Sequence, residues 1–340
     1  MWMYCNMGTF CSKSDVYKSA RGRYVEKRIH NPRAVCTTET GHLIVTQQQG
    51  QSAITVLDAR TYETLRVITG PADDGVYAVT IGDPMDVCMG KNEYKDHILF
   101  ACPGENFVGI VTMDGRFVRN IHCYHPRSVC VDGATNNIYI SASSTPLKLR
   151  PRRRLDVFQT DLQDVVHVYS WEGELQMTID ALPNVARHDG YFREIAFCDK
   201  QRLLLLSDPF TEHMFACTPD GMIVRAQRLI GHRVSSFSVL PGDDFVVFPA
   251  LHGSLVHVYR LCDDGELVFE SLSRLRVPDC FRCDQGVFDS EDAPIARRIS
   301  MCVDADNRLV VPHFSDGRVR GFGVTTNHQR VAFMACLFSR

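Results

Sequence analysis

The chain lacks the marks of a membrane or secreted protein. In its 340 residues no apolar run comes near the roughly 18 that a spanning helix requires. No Asn-x-Ser/Thr glycan acceptor occurs. Met1 to Arg23 mix Trp2, Tyr4, Cys5 and Lys13 with polar residues and have no continuous apolar core, unlike a signal peptide. Also missing are a Gly-x-Ser-x-Gly elbow, a glycine-rich phosphate loop and a His-Glu-x-x-His pair, so the common hydrolase, nucleotide and metalloprotease motifs have no place here. These gaps give the expectation that the chain is not an enzyme and has no small-molecule substrate and no cofactor. A sustained helical period is absent as well, which leaves an all-β chain. Cysteine is not scarce. There are 14, scattered through strand-like segments of a chain too long to need staples. With no glycan acceptor, that pattern predicts a reducing, cytoplasmic setting and no membrane partner.

Apolar residues make up 45% of the chain, enough for a large core, and the formal net charge of −3 leaves open how charge is distributed. One stretch is a template for the rest. His125-Pro126-Arg127-Ser128-Val129-Cys130-Val131-Asp132 and Asn137-Ile138-Tyr139-Ile140-Ser141-Ala142 read as two short strands joined by a polar turn. Segments of the same shape align on Cys36, Cys88, Cys130, Ala196, Ser238 and Cys302, all small, at steps of 52, 42, 66, 42 and 64 residues. The short steps fit the roughly 40–45 residues of a four-stranded propeller blade. Asp114-Gly115, Glu172-Gly173, Asp220-Gly221 and Asp264-Gly265 supply turns before the fourth strands. The pattern predicts a six-bladed β-propeller of four-stranded antiparallel blades over 23–340, after a flexible leader at 1–22. Tyr24–Ile29 is shaped like an outermost strand that precedes any blade. It would complete the last blade and close the ring, in competition with the tail Arg330–Phe338.

The template resembles the NHL repeat, whose consensus runs proline, one residue, a small or apolar pair, Val-Asp, a turn, then Ile-Tyr-Val-Ala. Pro126-Arg127-Ser128-Val129-Cys130-Val131-Asp132 and Ile138-Tyr139-Ile140-Ser141-Ala142 carry the likeness, and Asp304, Asn307 and Leu309–Val311 share part of it. The other blades diverge. The resemblance implies a propeller like those of TRIM-NHL and brain tumor-type proteins, which bind single-stranded or hairpin RNA and repress messages through their 3′ untranslated regions. No RING, B-box or coiled coil accompanies it.

Propeller topology puts the loops leading into the inner strands and the second-to-third loops on one face. Arg33, Arg127 and Arg193 share the aligned position there. Arg233, Arg297 and Arg298 lie within two residues of it, and Arg150, Arg152 and Arg153 stand in one long loop. Met85 breaks the pattern. Tyr124, His125, Tyr191, Phe192, His232, His313 and Phe314 lie among these arginines, where rings could stack on unpaired bases and guanidinium groups could grip phosphates. The remaining turns carry Glu39, Asp96, Asp114, Glu172, Asp199, Asp220, Asp243, Asp263 and Asp306, which predicts a disc with one basic and one acidic face. The alternative reading is a protein-interaction surface that grips an acidic peptide. Metal chemistry has little support, because Cys280 and Cys283 form a single Cys-x-x-Cys without a second pair. His213, His252 and His313 occupy unequal loop positions, and the arginines would repel calcium. No metal site is expected.

Overall fold

The structure is a computed structural model. It describes residues 24–47, 53–69, 81, 84–143, 164–179, 194–208, 213–228, 237–239, 245–249, 255–261, 269–276, 301–304, 308–313 and 318–323. After β1 (Tyr24–Arg28) the chain runs as consecutive antiparallel meanders. The first holds β2 (Pro32–Thr37), β3 (His42–Gln47), β4 (Ala53–Asp58) and β5 (Thr64–Thr69). The second holds β6 (Asp86–Met89), β7 (His97–Cys102), β8 (Phe107–Thr112) and β9 (Phe117–His122). The third holds β10 (Ser128–Val131), β11 (Ile138–Ser143), β12 (Asp164–Tyr169) and β13 (Leu175–Ile179). The fourth holds β14 (Glu194–Cys198), β15 (Leu203–Asp208), β16 (His213–Cys217) and β17 (Ile223–Arg228). The fifth holds β18 (Ser238–Val239), β19 (Phe245–Pro249), β20 (Leu255–Leu261) and β21 (Phe269–Arg276). The last sheet is ordered β1-β24-β23-β22, with β22 (Cys302–Val303), β23 (Arg308–His313) and β24 (Arg318–Gly323). Tyr24 to Arg28 pair with Phe322 to Arg318, so the N-terminal strand, not Arg330–Phe338, holds the outer position. That tail and the leader lie outside the described residues.

The first four sheets grade from inside to outside. In the second, β7 and β8 are almost wholly buried, while β9 shows water much of its length. The apolar cores lie between consecutive sheets. One joins Leu99, Val108 and Ile121 to Val129, Ile138 and Trp171, and another joins Tyr139 and Val168 to Phe197, Leu204 and Phe215. Sheets that bury both faces against like neighbours make a β-propeller of four-stranded antiparallel blades. Such cores are described between the last and first sheets and at each junction from the first sheet to the fifth. The junction between the β18 and β22 sheets is not described.

Where last and first sheets meet, Tyr62 reaches from the turn after β4 and donates a 3.2 Å hydrogen bond to Asp304. A Cβ at Gly321 would collide with its hydroxyl, so only glycine fits beneath it. The turns before β9, β13 and β17 place Gly115, Gly173 and Gly221 at φ near +90°, a conformation closed to most side chains, which is why these turns read clearly in the sequence.

Candidate functional site

In a four-stranded meander, alternate turns lie at opposite ends. The loops leading into the inner strands therefore share one face with the second-to-third turns. On that face the segment between β9 and β10 is fixed on both sides. The Asn106 carbonyl accepts from the Cys123 N–H at 3.2 Å, and its side-chain oxygen accepts from the His125 N–H at 2.9 Å. On the other side, the Ser143 N–H donates to the Tyr124 carbonyl at 2.9 Å and the Arg127 N–H donates to Ser141 at 2.7 Å. His125 sits at φ 48° and Asn106 at φ 57°, both in the left-handed region. Tyr124 is 47% exposed, with His125 and Arg127 half-buried beside it. The pKa of His125 lies below its usual value, first through burial and then through the Arg127 charge, against a hydrogen bond to the Pro103 carbonyl. Its imidazole is thus held neutral. Arg33 lies on the same face, half-buried, where a register shift between Pro32 and Val35 marks a bulge in β2.

The structure brings Tyr124, His125 and Arg127 together, with Arg33 on the same face. It describes the backbone of His313 at the end of β23. Arg150, Arg152, Arg153, Tyr191, Phe192, Arg193, His232, Arg233, Arg297, Arg298 and Phe314 lie outside the described residues, as do Cys280, Cys283 and His252.

Sequence reasoning passed over the position two before each aligned small residue. It holds Asp86, Ser128 and Glu194, all buried. The Asp86 carboxylate accepts from the Ser128 hydroxyl at 2.7 Å and the Val129 N–H at 2.8 Å, and the Ser128 oxygen accepts from the Ile195 N–H at 3.2 Å. Three consecutive inner strands are thereby stitched together. The only sequence signal was their shared register. Asp86 and Glu194, with Glu39, Lys91 and residues of all the inner strands, line an axial cavity of about 470 Å³.

The described part of the opposite face carries cations among its carboxylates. Lys91 pairs with Asp199 at 3.2 Å, and Arg202 grips both oxygens of the buried Asp132, one at 2.7 Å. Arg308 Nε donates to Asp304 at 2.6 Å and Arg116 pairs with Asp114 at 2.9 Å. Of the turn carboxylates named from the sequence, Asp199 and Asp114 are paired with cations, Asp199 across to another sheet and Asp114 within its own turn; Asp243, Asp263 and Asp306 lie outside the described residues. Among the described residues no group of three or more His, Cys, Asp or Glu side chains could hold a metal ion. His213 lies nearly parallel to Phe215, with ring centres 5.8 Å apart. No helix among the described residues is long and apolar enough to cross a membrane.

No known protein family matches the chain by sequence, and no curated protein does either. Solved structures do match in shape. A streptogramin B lyase aligns with a TM-score of 0.55 at 13% identity over 88% of this chain and 97% of its own. Hydrazine synthase from Kuenenia stuttgartiensis gives 0.54 at 12% over 88% and 97%. A selenomethionine-substituted virginiamycin B lyase from Staphylococcus aureus gives 0.55 at 10% over 89% and 99%. At such identities the likeness establishes the propeller fold alone. It also overturns the expectation that this chain is not an enzyme. Propellers of this shape bear the names of lyases and a synthase, so missing hydrolase motifs are no ground for ruling catalysis out.

Proposed function

We propose that the protein is an NHL-like propeller, its sheets arranged as six blades in a closed ring, that binds single-stranded or hairpin RNA on the face bearing Tyr124, His125 and Arg127. On this reading it acts as a post-transcriptional repressor of messages. The observation that carries it is the exposed Tyr124, on a segment braced by backbone hydrogen bonds, beside a neutral imidazole and a guanidinium. A residue whose backbone is already fixed leaves only its side-chain torsions to be ordered when a base stacks on its ring. Such stacking contributes about 1–3 kcal/mol per base. Arg127 offers a charge-assisted donor to the adjoining phosphate, and Arg33 extends the same face. A single strand or loop suits this arrangement better than a duplex, whose bases are already stacked.

The test is a titration of short single-stranded RNAs at two salt concentrations. Tyr124→Ala should weaken binding about 5- to 150-fold, the equivalent of one lost stacking contact. Arg127→Ala should lower the slope of log affinity against log salt by about one unit. Wild-type affinity and slope in both folded variants would overturn the reading. A glutamate-rich peptide that binds more tightly than RNA and competes with it would assign the face to an acidic polypeptide instead.

A further inference from the structure

One turn, the connection between β7 and β8, holds His125 at two points. The backbone N–H of His125 donates to the Asn106 side-chain oxygen at 2.9 Å, and its ring hydrogen-bonds to the Pro103 carbonyl. A carbonyl can only accept, so the ring nitrogen that meets Pro103 carries the hydrogen. Burial and the Arg127 charge keep the imidazole neutral, and a neutral ring with one N–H has a bare second nitrogen. That nitrogen is a pure acceptor. Along the chain it stands between the exposed Tyr124 and the half-buried Arg127. A phosphodiester, which can only accept, has nothing to offer it. The exposed Glu105 of the same turn further disfavours an anion there.

We propose that His125 reads the sugar of a bound strand, accepting a hydrogen bond from a ribose 2′-hydroxyl, and so makes this face selective for RNA over DNA. The inference rests on the reading of the face as a binder of single strands. A nucleotide presents base, sugar and phosphate in that order. The loop answers in the same order, with a stacking ring at Tyr124, an acceptor at His125 and a cationic donor at Arg127. Base carbonyls and phosphate oxygens are acceptors and cannot pair with the bare nitrogen. The amino groups of bases do donate, but they lie on the edge remote from the sugar, and hence from the phosphate that Arg127 holds. The 2′-hydroxyl is the donor that lies between base and phosphate, and DNA lacks it.

The chain is titrated with a short mixed-sequence single-stranded RNA, with its 2′-deoxy counterpart, and with its 2′-O-methyl counterpart, which keeps the sugar oxygen but has no hydrogen to donate. The unmutated chain should bind the RNA about 2- to 12-fold more tightly than either analogue, the equivalent of one net hydrogen bond. His125→Phe keeps a planar ring, loses the acceptor, and should bind all three alike. Tyr124→Ala should weaken all three and keep the preference. The comparison of ligands on the unmutated chain stands whether or not His125→Phe folds. Equal affinity for the three strands, or a preference for RNA that survives in folded His125→Phe, would overturn this proposal alone, provided that Tyr124→Ala still weakens binding. Failure of every strand to bind would overturn the reading of the face, and this proposal with it.

Discussion

His125 shows how much of the candidate site is decided by single side chains. Burial and the neighbouring Arg127 charge both disfavour its protonated form, and together they outweigh the stabilising bond to the Pro103 carbonyl. Its titration midpoint, followed by the imidazole proton resonances, should fall below the reference 6.5. Arg127→Ala should move it upward by removing the second cause. A group with a depressed folded pKa binds its proton more readily in the unfolded chain. Its contribution to stability is therefore complete above 6.5 and shrinks as pH falls toward the folded midpoint. An unchanged midpoint in Arg127→Ala would mean that the guanidinium does not face the ring. The sequence disclosed this group because Tyr124, His125 and Arg127 are neighbours along the chain, and adjacency alone put them in one loop. It could not disclose Asp86 and Ser128, which lie 42 residues apart and meet only through their blades.

Among the elements, the turns that follow inner strands lock blades to one another. Arg202 leaves the turn between β14 and β15, lies over Phe197 with 5.0 Å to the ring centre, and forks onto Asp132 in the turn after β10. Burial alone would raise the Asp132 pKa. The Arg202 guanidinium, the Thr135 hydroxyl and the Ala134 N–H together hold it below its ordinary value instead. Arg202→Ala leaves that buried carboxylate without its cation and should cost about 1.5–3 kcal/mol in urea unfolding at neutral pH. Asp132 has a depressed folded pKa, so its stabilising effect is present above the unfolded value of 3.8 and lost as pH falls through the folded one. The gap between wild type and Arg202→Ala should accordingly narrow in acid, and a gap that stays constant with pH would assign the loss to ring packing on Phe197. Strands and glycine turns were legible here because period-two burial and left-handed φ are local requirements. The Asp132–Arg202 pair was not, since the sequence reading counted turn carboxylates without knowing which turns face one another. Arg202 and Lys91, which pair with carboxylates of other sheets, had no place in that count.

At the scale of the whole molecule, the decisive contact joins the two ends of the described chain. The outer position of the last sheet falls to β1, drawn from the N-terminal side, so β24 hydrogen-bonds across a gap of almost the full length of the protein. The sequence made this arrangement visible because Tyr24–Arg28 has the form of an outer strand with no blade before it. It could not rank that strand against the more apolar tail Arg330–Phe338, for pairing partners are fixed by space and not by composition. A propeller that ends on an unpaired strand presents a row of free N–H and C=O groups, which invites both fraying and edge-to-edge association. Deleting residues 1–28 would expose β24 in this way. Each register pair lost contributes about 1 kcal/mol net, and the five pairs between Tyr24 and Arg28 make the expected loss on the order of 3–5 kcal/mol. In a chain of this size that corresponds to a fall of roughly 10 °C in Tm, measured by the near-ultraviolet transition, together with concentration-dependent association in sedimentation. Because Tyr62, Asp304 and Arg308 bind the first sheet to the last independently of β1, the deleted chain should still melt as one cooperative unit. A deletion that melts at the wild-type temperature and stays monomeric would show that β24 does not depend on β1.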